Sequence, residues 1–294
     1  MKFLDLFSGI GGFRLGLESA GHECVGFCEI DKFARASYKT IHNTEGEFEF
    51  YDITQVSDED WRKFRGTVDI ICGGFPCQAF SIAGKRKGFL DETRGTLFFE
   101  IARAVKEIKP PLLFIENVKG LLSHDKGRTF RTILSTLDEL GYDAEWQILN
   151  SKDYGVPQNR ERVYIIGHLR GECRRQVFPI FGKNGTTNKA NIKQIGNINN
   201  STSFGGNPQT GRVYDVDGIS PTLNTMQGGG REPKILIDKK IRKLTPRECW
   251  RLQGFPDWAF DKAQEVNSNS QLYKQAGNSV TVNVIKVIAE RLDK

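Results

Sequence analysis

The sequence predicts an α/β protein, with a mostly parallel sheet covered by helices on both faces and a smaller, loop-rich part behind it. Three observations carry this. Short apolar runs alternate with helix-period patterns over roughly the first 170 residues. A glycine-rich turn joins the first such run to the first helix pattern. Beyond it the rhythm gives way to Asn, Gly, Ser and Thr. At 294 residues the chain can bury a sizeable core, as one large or two modest domains.

Taken in order, "MKFLDLF" reads as a strand, and Phe13, Leu17 and Ala20 fall at helix spacing. "CVGFCEI" is the second strand, followed by a helix carrying Phe33, Ser37, Tyr38 and Ile41. "FEFY" follows, then a short helix opened by Ser57 with Asp60 three later, as in a capping box. "VDIICGG", a helix with Leu97, Ile101, Val105 and Ile108, and "LLFIENV" after Lys109-Pro110-Pro111 continue the pattern. A helix with Phe130, Leu134 and Leu137, closed by Gly141, leads to "AEWQILN" and "RVYIIGHL". Strands separated by helices argue for the parallel, doubly covered sheet. Residues 182–212 are poor in large apolar side chains and cannot build a core alone, so composition favours a disordered linker. "DGISPTLNTMQGGGREPKILI" is turn-heavy and suggests loops presented to a partner. A last helix pattern carries Val284, Ile285, Ile288 and Leu292.

The formal net charge of +6 favours a polyanionic partner, although many soluble enzymes are mildly basic. The six cysteines include no C-x-x-C pair and follow no secretory signal, which predicts reduced thiols in a cytoplasm. His22, Cys24 and Cys28 lie in an apolar strand pattern without a second cluster, so no metal site is expected. No apolar run approaches the roughly 20 residues of a membrane span.

The chemistry-bearing stretches sit at strand ends. In "DLFSGIGGF" a strand runs into glycines and a helix, where backbone amides can approach a cofactor; Arg14 stands where a dinucleotide fingerprint has its third glycine. Glu29, closing the second strand, fits a ribose-binding acid or a surface acid at a tight turn. In "GGFPCQAFS", Cys77 follows Pro76, which fixes φ, and Gly73-Gly74, which permit a sharp turn. A thiol held on one trajectory at the sheet's carboxyl edge is an activatable nucleophile; Cys24, Cys28 and Cys72 fit packing roles instead. Glu116 in "FIENV" ends the next strand and, partly desolvated, could carry a proton at neutral pH. "PQNRER" supplies Gln158, Arg160 and Arg162, the two arginines projecting alike. Lys85, Arg86 and Lys87 lie between Gly84 and Gly88, a loop that can neutralise phosphates and hinge.

Together these residues resemble the bacterial DNA (cytosine-5)-methyltransferases, in order through almost the whole chain. The resemblance implies a Rossmann-like methyltransferase domain that binds S-adenosylmethionine over residues 1–178, a target-recognition domain with hinge over 179–271, and a C-terminal helix over 272–294 returning to the first domain. It implies that Phe7, Ser8, Gly9, Gly11 and Gly12 meet the cofactor, that Glu29 with Ile30 serves ribose and adenine, and that Asp52 with Ile53 serves the adenine amino group. Pro76, Leu97, Asn278, Ser279 and Val280 would complete that pocket. Cys77 would be the nucleophile, Glu116 the cytosine-binding acid, Arg162 a contact to the base and Arg160 its support. Gln78, Ser81, Lys85, Arg86, Lys87, Gln158, Thr222, Leu223, Gln227, Gly228, Gly229 and Arg231 would meet DNA.

The chemistry agrees with this reading. Carbon 5 of cytosine is a poor nucleophile until a thiolate adds to carbon 6, and a stacked base must leave the duplex to be reached. Double-stranded DNA is the expected partner of a monomer, with a cognate restriction endonuclease, where one exists, acting separately. The rival readings are a transfer-RNA cytosine methyltransferase, a non-catalytic cofactor-sensing DNA-binding protein, and a nicotinamide oxidoreductase.

Overall fold

The computed structural model describes residues 1–76, 97–172, 175–182, 191–199, 201–226 and 230–292, the side chains of residues 203 and 204 excepted. The first part alternates as β1 (Lys2–Leu6), α1 (Gly12–Glu18), β2 (Glu23–Cys28), α2 (Lys32–Ile41), β3 (Phe48–Phe50), α3 (Asp58–Arg62), β4 (Ile70–Gly74), α4 (Leu97–Ile108), β5 (Leu112–Val118), α5 (Arg128–Glu139), β6 (Tyr142–Asn150) and β7 (Glu161–Leu169). These strands form one sheet in the order β3-β2-β1-β4-β5-β7-β6. All pairs are parallel except those of β7, which runs against both β5 and β6. The strand order reverses between β1 and β4, and ligands of open α/β sheets bind at such a switch point.

Both faces of the sheet are apolar, so its central strands read as continuous hydrophobic runs. Leu4 and Leu6 of β1 pack into one core with Trp61, Phe98 and Ile133. Phe3 packs into the other, with Phe13, Phe114 and residues near the end of the chain. There α9 (Val282–Ala289) lies on α1, and a Cβ on Gly16 would come 2.6 Å from Ile285. Burying Val284, Ile285 and Ile288 in that contact contributes roughly 1.5–3 kcal/mol each. Ser57 caps α3 by accepting the Asp60 N–H at 3.1 Å, and its own hydroxyl donates to the Asp60 carboxylate.

A second sheet is built from β8 (Gln194–Asn197), β9 (Arg212–Asp215), β10 (Lys234–Ile237) and β11 (Lys240–Lys243), in the order β11-β10-β9-β8. β8 corrects the linker expected from composition. Side-chain amides do there what apolar packing does elsewhere: Asn197 Nδ2 donates to Asn207 Oδ1 and to the Pro208 carbonyl, and Asn199 Nδ2 donates to Thr210 Oγ1. Helices α6 (Pro246–Leu252), α7 (Asp257–Val266) and α8 (Asn269–Asn278) complete the chain before α9. Trp250, Phe260 and Leu272 from these helices share a core with Ile10, Ala34 and Ile41, so α7 rests on α2 of the first part. No helix among the described residues is long and apolar enough to cross a membrane.

Candidate active site

At the switch point lies a cavity of about 440 Å³, walled by the loops after β1, β2, β3 and β4, by β5 and β7, and by the turn after α8. Its size falls within the range of small-molecule sites. The loop after β1 is bent at Phe7 (φ 55°) and Gly9 (φ 56°). Ser8 N–H bonds the Cys28 carbonyl at 3.0 Å, which ties this loop to the end of β2. The Glu29 carboxylate accepts Gly9 N–H on one oxygen and Asp31 N–H on the other, each at 2.7 Å. Burial raises its pKa, and those two amides oppose the rise. Ile30 beside it is 68 % exposed at the cavity wall, apolar surface open to a flat ligand.

Gly9, Ser8, Gly12, Ile53, Pro76, Leu97, Asn278, Ser279 and Val280 all line this cavity, as do Phe7, Asp52, Glu29 and Ile30. Asp52 Oδ1 is held by Thr54 through N–H and hydroxyl, at 2.9 and 2.8 Å. Gly11 departs from expectation. It does not face the cavity; its φ is 83°, and a Cβ there would lie 2.0 Å from His42 Nε2. Gly12 is needed for close approach, since its Cβ would meet Val280 Cγ2 at 2.8 Å and Ser279 Oγ at 2.9 Å. Arg14 is buried and donates to Glu18, Glu47 and the Asn43 carbonyl, locking α1 to the segment after α2.

At the inner end stand the two strand-end groups. Val118 pairs with Arg162 and Glu116 with Tyr164 across β5 and β7, which sets Glu116 and Arg162 diagonally on one face. Arg162 Nε lies 2.9 Å from Glu116 Oε1. Glu116 is 7 % exposed; burial raises its pKa, and Arg162 and then Arg160 pull it back. Arg160 is 3 % exposed and donates to the carbonyls of Leu223, Gly277 and Ser279 at 3.2, 3.2 and 2.7 Å. It thus ties two segments, one at Leu223 and one at Gly277 to Ser279, beneath the carboxylate. Burial lowers its pKa to about 9, so it remains a cation at neutral pH.

The glycines before Pro76 serve a different purpose from the turn expected of them. Gly73 and Gly74 lie within β4, where a Cβ on Gly73 would stand 2.3 Å from the Leu6 carbonyl and one on Gly74 2.9 Å from Glu116 Oε2. They admit the neighbouring strand and the carboxylate. Asn117, a residue sequence reasoning missed, donates from Nδ2 to the Phe75 carbonyl at 2.8 Å and fixes the backbone that leads into Pro76. Its signal was its place beside Glu116 in "ENV". Lys274 was missed as well; it lines the cavity and pairs with Asp31 at 2.5 Å. Cys77, Gln78, Ser81, Lys85, Arg86, Lys87, Gln227, Gly228 and Gly229 lie outside the described residues.

Two residues assigned to DNA contact are buried instead. Gln158 has no exposed surface; it donates to the Leu252 carbonyl and accepts Leu223 N–H. Leu223 is 2 % exposed in the core with Trp250. An amide that can both donate and accept is what this junction of backbones requires, and its burial keeps it from a base. Thr222 and Arg231 are exposed. Cys24, Cys28, Cys72 and Cys249 are buried free thiols, and burial pushes the first two and Cys249 up to about 12.

The donor set fits a nucleoside-bearing cofactor: Glu29 keeps lone pairs beyond its two amides, Ile30 offers an apolar face, and the buried Ser8 Oγ has no partner among the described residues. Residues 1–207 and 182–294 match the model of the family described as C-5 cytosine-specific DNA methylase. The chain is 41% identical over 318 residues to the type II methyltransferase M.HhaI of Haemophilus parahaemolyticus, covering 98% of this chain and 93% of that one. It is 44% identical over 316 residues to M.SsoII of Shigella sonnei, covering 99% and 79%. A crystal structure of the S. pombe Dnmt2 methyltransferase superposes with a TM-score of 0.71 at 21% identity, over 99% of this chain and 98% of that one, a likeness of fold. With the family match spanning the whole length and full-length relatives above two-fifths identity, the chain belongs to the C-5 cytosine-specific DNA methylases.

Proposed function

We propose that this enzyme transfers a methyl group from S-adenosylmethionine to carbon 5 of a cytosine within a specific DNA sequence, through a covalent bond between Cys77 and carbon 6 of a base turned out of the duplex. The observation that carries the reading is the buried Glu116–Arg162 pair at 2.9 Å, in the same cavity as Pro76, the residue before Cys77. Burial favours a protonated Glu116, which would donate to N3 of the ring and accept from its exocyclic amine. As the Cys77 sulfur bonds to carbon 6, the ring electrons move toward N3 and leave carbon 5 nucleophilic. When bound, the cofactor supplies an electrophilic methyl group. Carbon 5 gains that methyl, then loses its proton, and the returning electron pair expels Cys77. Arg162 would hold the carboxyl and touch the base, with Arg160 holding the surrounding backbone.

Toward the cofactor, Glu29 would take ribose hydroxyls, Asp52 the adenine amine, and Ile30 the adenine face. Residues 1–178 and 272–294 would thus hold cofactor and chemistry, and 179–271 would serve DNA recognition. The exposed Thr222 and Arg231, with Lys85, Arg86 and Lys87, are the proposed DNA contacts. The enzyme would work in the cytoplasm as a monomer, any cognate restriction endonuclease acting separately. Duplex DNA carrying 5-fluorocytosine, incubated with enzyme and S-adenosylmethionine, tests the mechanism, because fluorine cannot leave as a cation and the adduct persists. A denaturant-resistant protein–DNA band is expected, absent in Cys77→Ser; no band with the unaltered enzyme at its methylation site would refute covalent catalysis. Methyl acceptance by transfer RNA exceeding that by DNA would refute the substrate.

A further inference from the structure

Lys234 opens β10 and is buried, with 7 % of the residue exposed. A lysine so placed must find acceptors, and Nζ donates to the carbonyls of Thr210 and Gly230 at 2.7 Å each and of Glu232 at 3.3 Å. Three N–H groups meet three carbonyls. Two of these carbonyls flank Arg231, and the third lies two residues before β9. Gly230 adopts φ 70°, and Glu232 Oε1 pairs with Lys243 of β11 at 3.2 Å, so the short run from 230 to 232 is held from both sides of the small sheet. Between the two bonded carbonyls, Arg231 is exposed. This arrangement fixes a backbone whose one free side chain is a guanidinium.

We propose that Lys234 is a positioning residue for sequence discrimination: its buried ammonium clamps the backbone on either side of Arg231 to the small sheet, so that Arg231 reads a base edge in a fixed register. The inference rests on the DNA-methylating reading of the enzyme. A phosphate contact tolerates a shifting backbone, whereas a two-pronged bond to a base edge does not. Loss of the clamp therefore lowers selectivity more than it lowers binding.

The test begins by mapping the methylated site on a plasmid of known sequence. Binding of the unaltered enzyme, Lys234→Met, Arg231→Gln and the double variant is then measured on that site and on a duplex with one base pair changed. Lys234→Met is expected to reduce the preference for the mapped site by about tenfold or more. Its kcat at saturating DNA and its cofactor affinity should stay within about threefold of the unaltered enzyme, which a merely destabilised protein would not show. The double variant should lose little beyond either single one, because both act through Arg231. Undiminished discrimination in Lys234→Met, or additive losses in the double variant, overturns the proposal. Lys234→Gln, which keeps a donor for the same carbonyls, carries the same expectation at smaller size should the methionine variant fail to fold. Absence of any methylated plasmid with the unaltered enzyme would instead sink the functional reading itself.

Discussion

Replacing Arg160 by methionine removes the N–H donors of a guanidinium from a buried site. Three carbonyls, those of Leu223, Gly277 and Ser279, lose their partner at once. A buried acceptor left bare costs roughly 1–3 kcal/mol, and partial relaxation brings the sum toward the roughly 3–5 kcal/mol typical of breaking a buried charged network. In a protein of this size each kcal/mol moves the melting temperature by about 2–4 °C, so a drop on the order of 10 °C is expected. The damage should not be spread evenly. Gly277 and Ser279 wall the cavity proposed to hold the cofactor, and the positive charge removed is one of the two that lower the Glu116 pKa. Cofactor affinity measured calorimetrically at 20 °C, where the variant is still folded, should therefore fall by about tenfold or more, equivalent to roughly 1.4 kcal/mol. Arg160→Lys keeps the charge with fewer donors and should lie between. A melting temperature within 2 °C of the unaltered enzyme, on the order of one assay error rather than several kcal/mol, would refute the claim that Arg160 fastens these two segments.

Other consequences are open to simpler assays. Glu116→Gln, nearly isosteric but without the acid, should lower single-turnover methylation by about 10²–10⁴-fold and leave cofactor binding close to unchanged. Gly12→Ala forces a methyl group against Val280 and Ser279 at under 3.0 Å, so cofactor affinity should weaken by roughly 1–3 kcal/mol, measured by titration calorimetry. Two buried groups near the glycine loop should give opposing pH slopes. Burial raises Asp5 to about 7 against the opposing pull of Arg14, and lowers His42 to about 3 with help from Arg14. The Asp5 contribution is present below pH about 4 and fades as pH rises through 7; the His42 contribution is present above pH about 6.5 and fades as pH falls toward 3, each by about 1.4 kcal/mol per unit. Between pH 4.5 and 6.5 these two contributions oppose each other, so urea titrations of Asp5→Asn should show stability climbing more steeply with pH across that window than in the unaltered enzyme.

Much of this architecture is legible in the sequence because it rests on periodicity. All seven strands of the large sheet coincide with apolar runs, from "MKFLDLF" to "RVYIIGHL". Cavity residues such as Glu29, Glu116 and Asn278 were readable because strand ends and motif order mark them. Side-chain direction was not. Gln158 stands two residues from Arg160 in a polar motif, yet its amide turns inward to bridge Leu223 and Leu252, a choice made by segments far along the chain. The glycines of "GGFP" looked like a turn because a flexible bend and a missing side chain leave the same letter. β8 was invisible for a related reason: asparagine counts as a turn former, and it takes the pairing with β9 and the amide bonds to Asn207 to make the segment a strand.

The contact of α9 with α1 closes the cavity with residues far apart along the chain. The first strand lies inside the sheet, yet one wall of its crevice, Asn278 to Val280, comes from the segment that runs into α9. Phe13 and Leu17 of α1 pack against Ile285 and Ile288 in the same core that holds Val280. Loosening that helix pair would therefore slacken the wall as well, so a substitution on the outer side of α1 can act on the crevice without touching anything inside it.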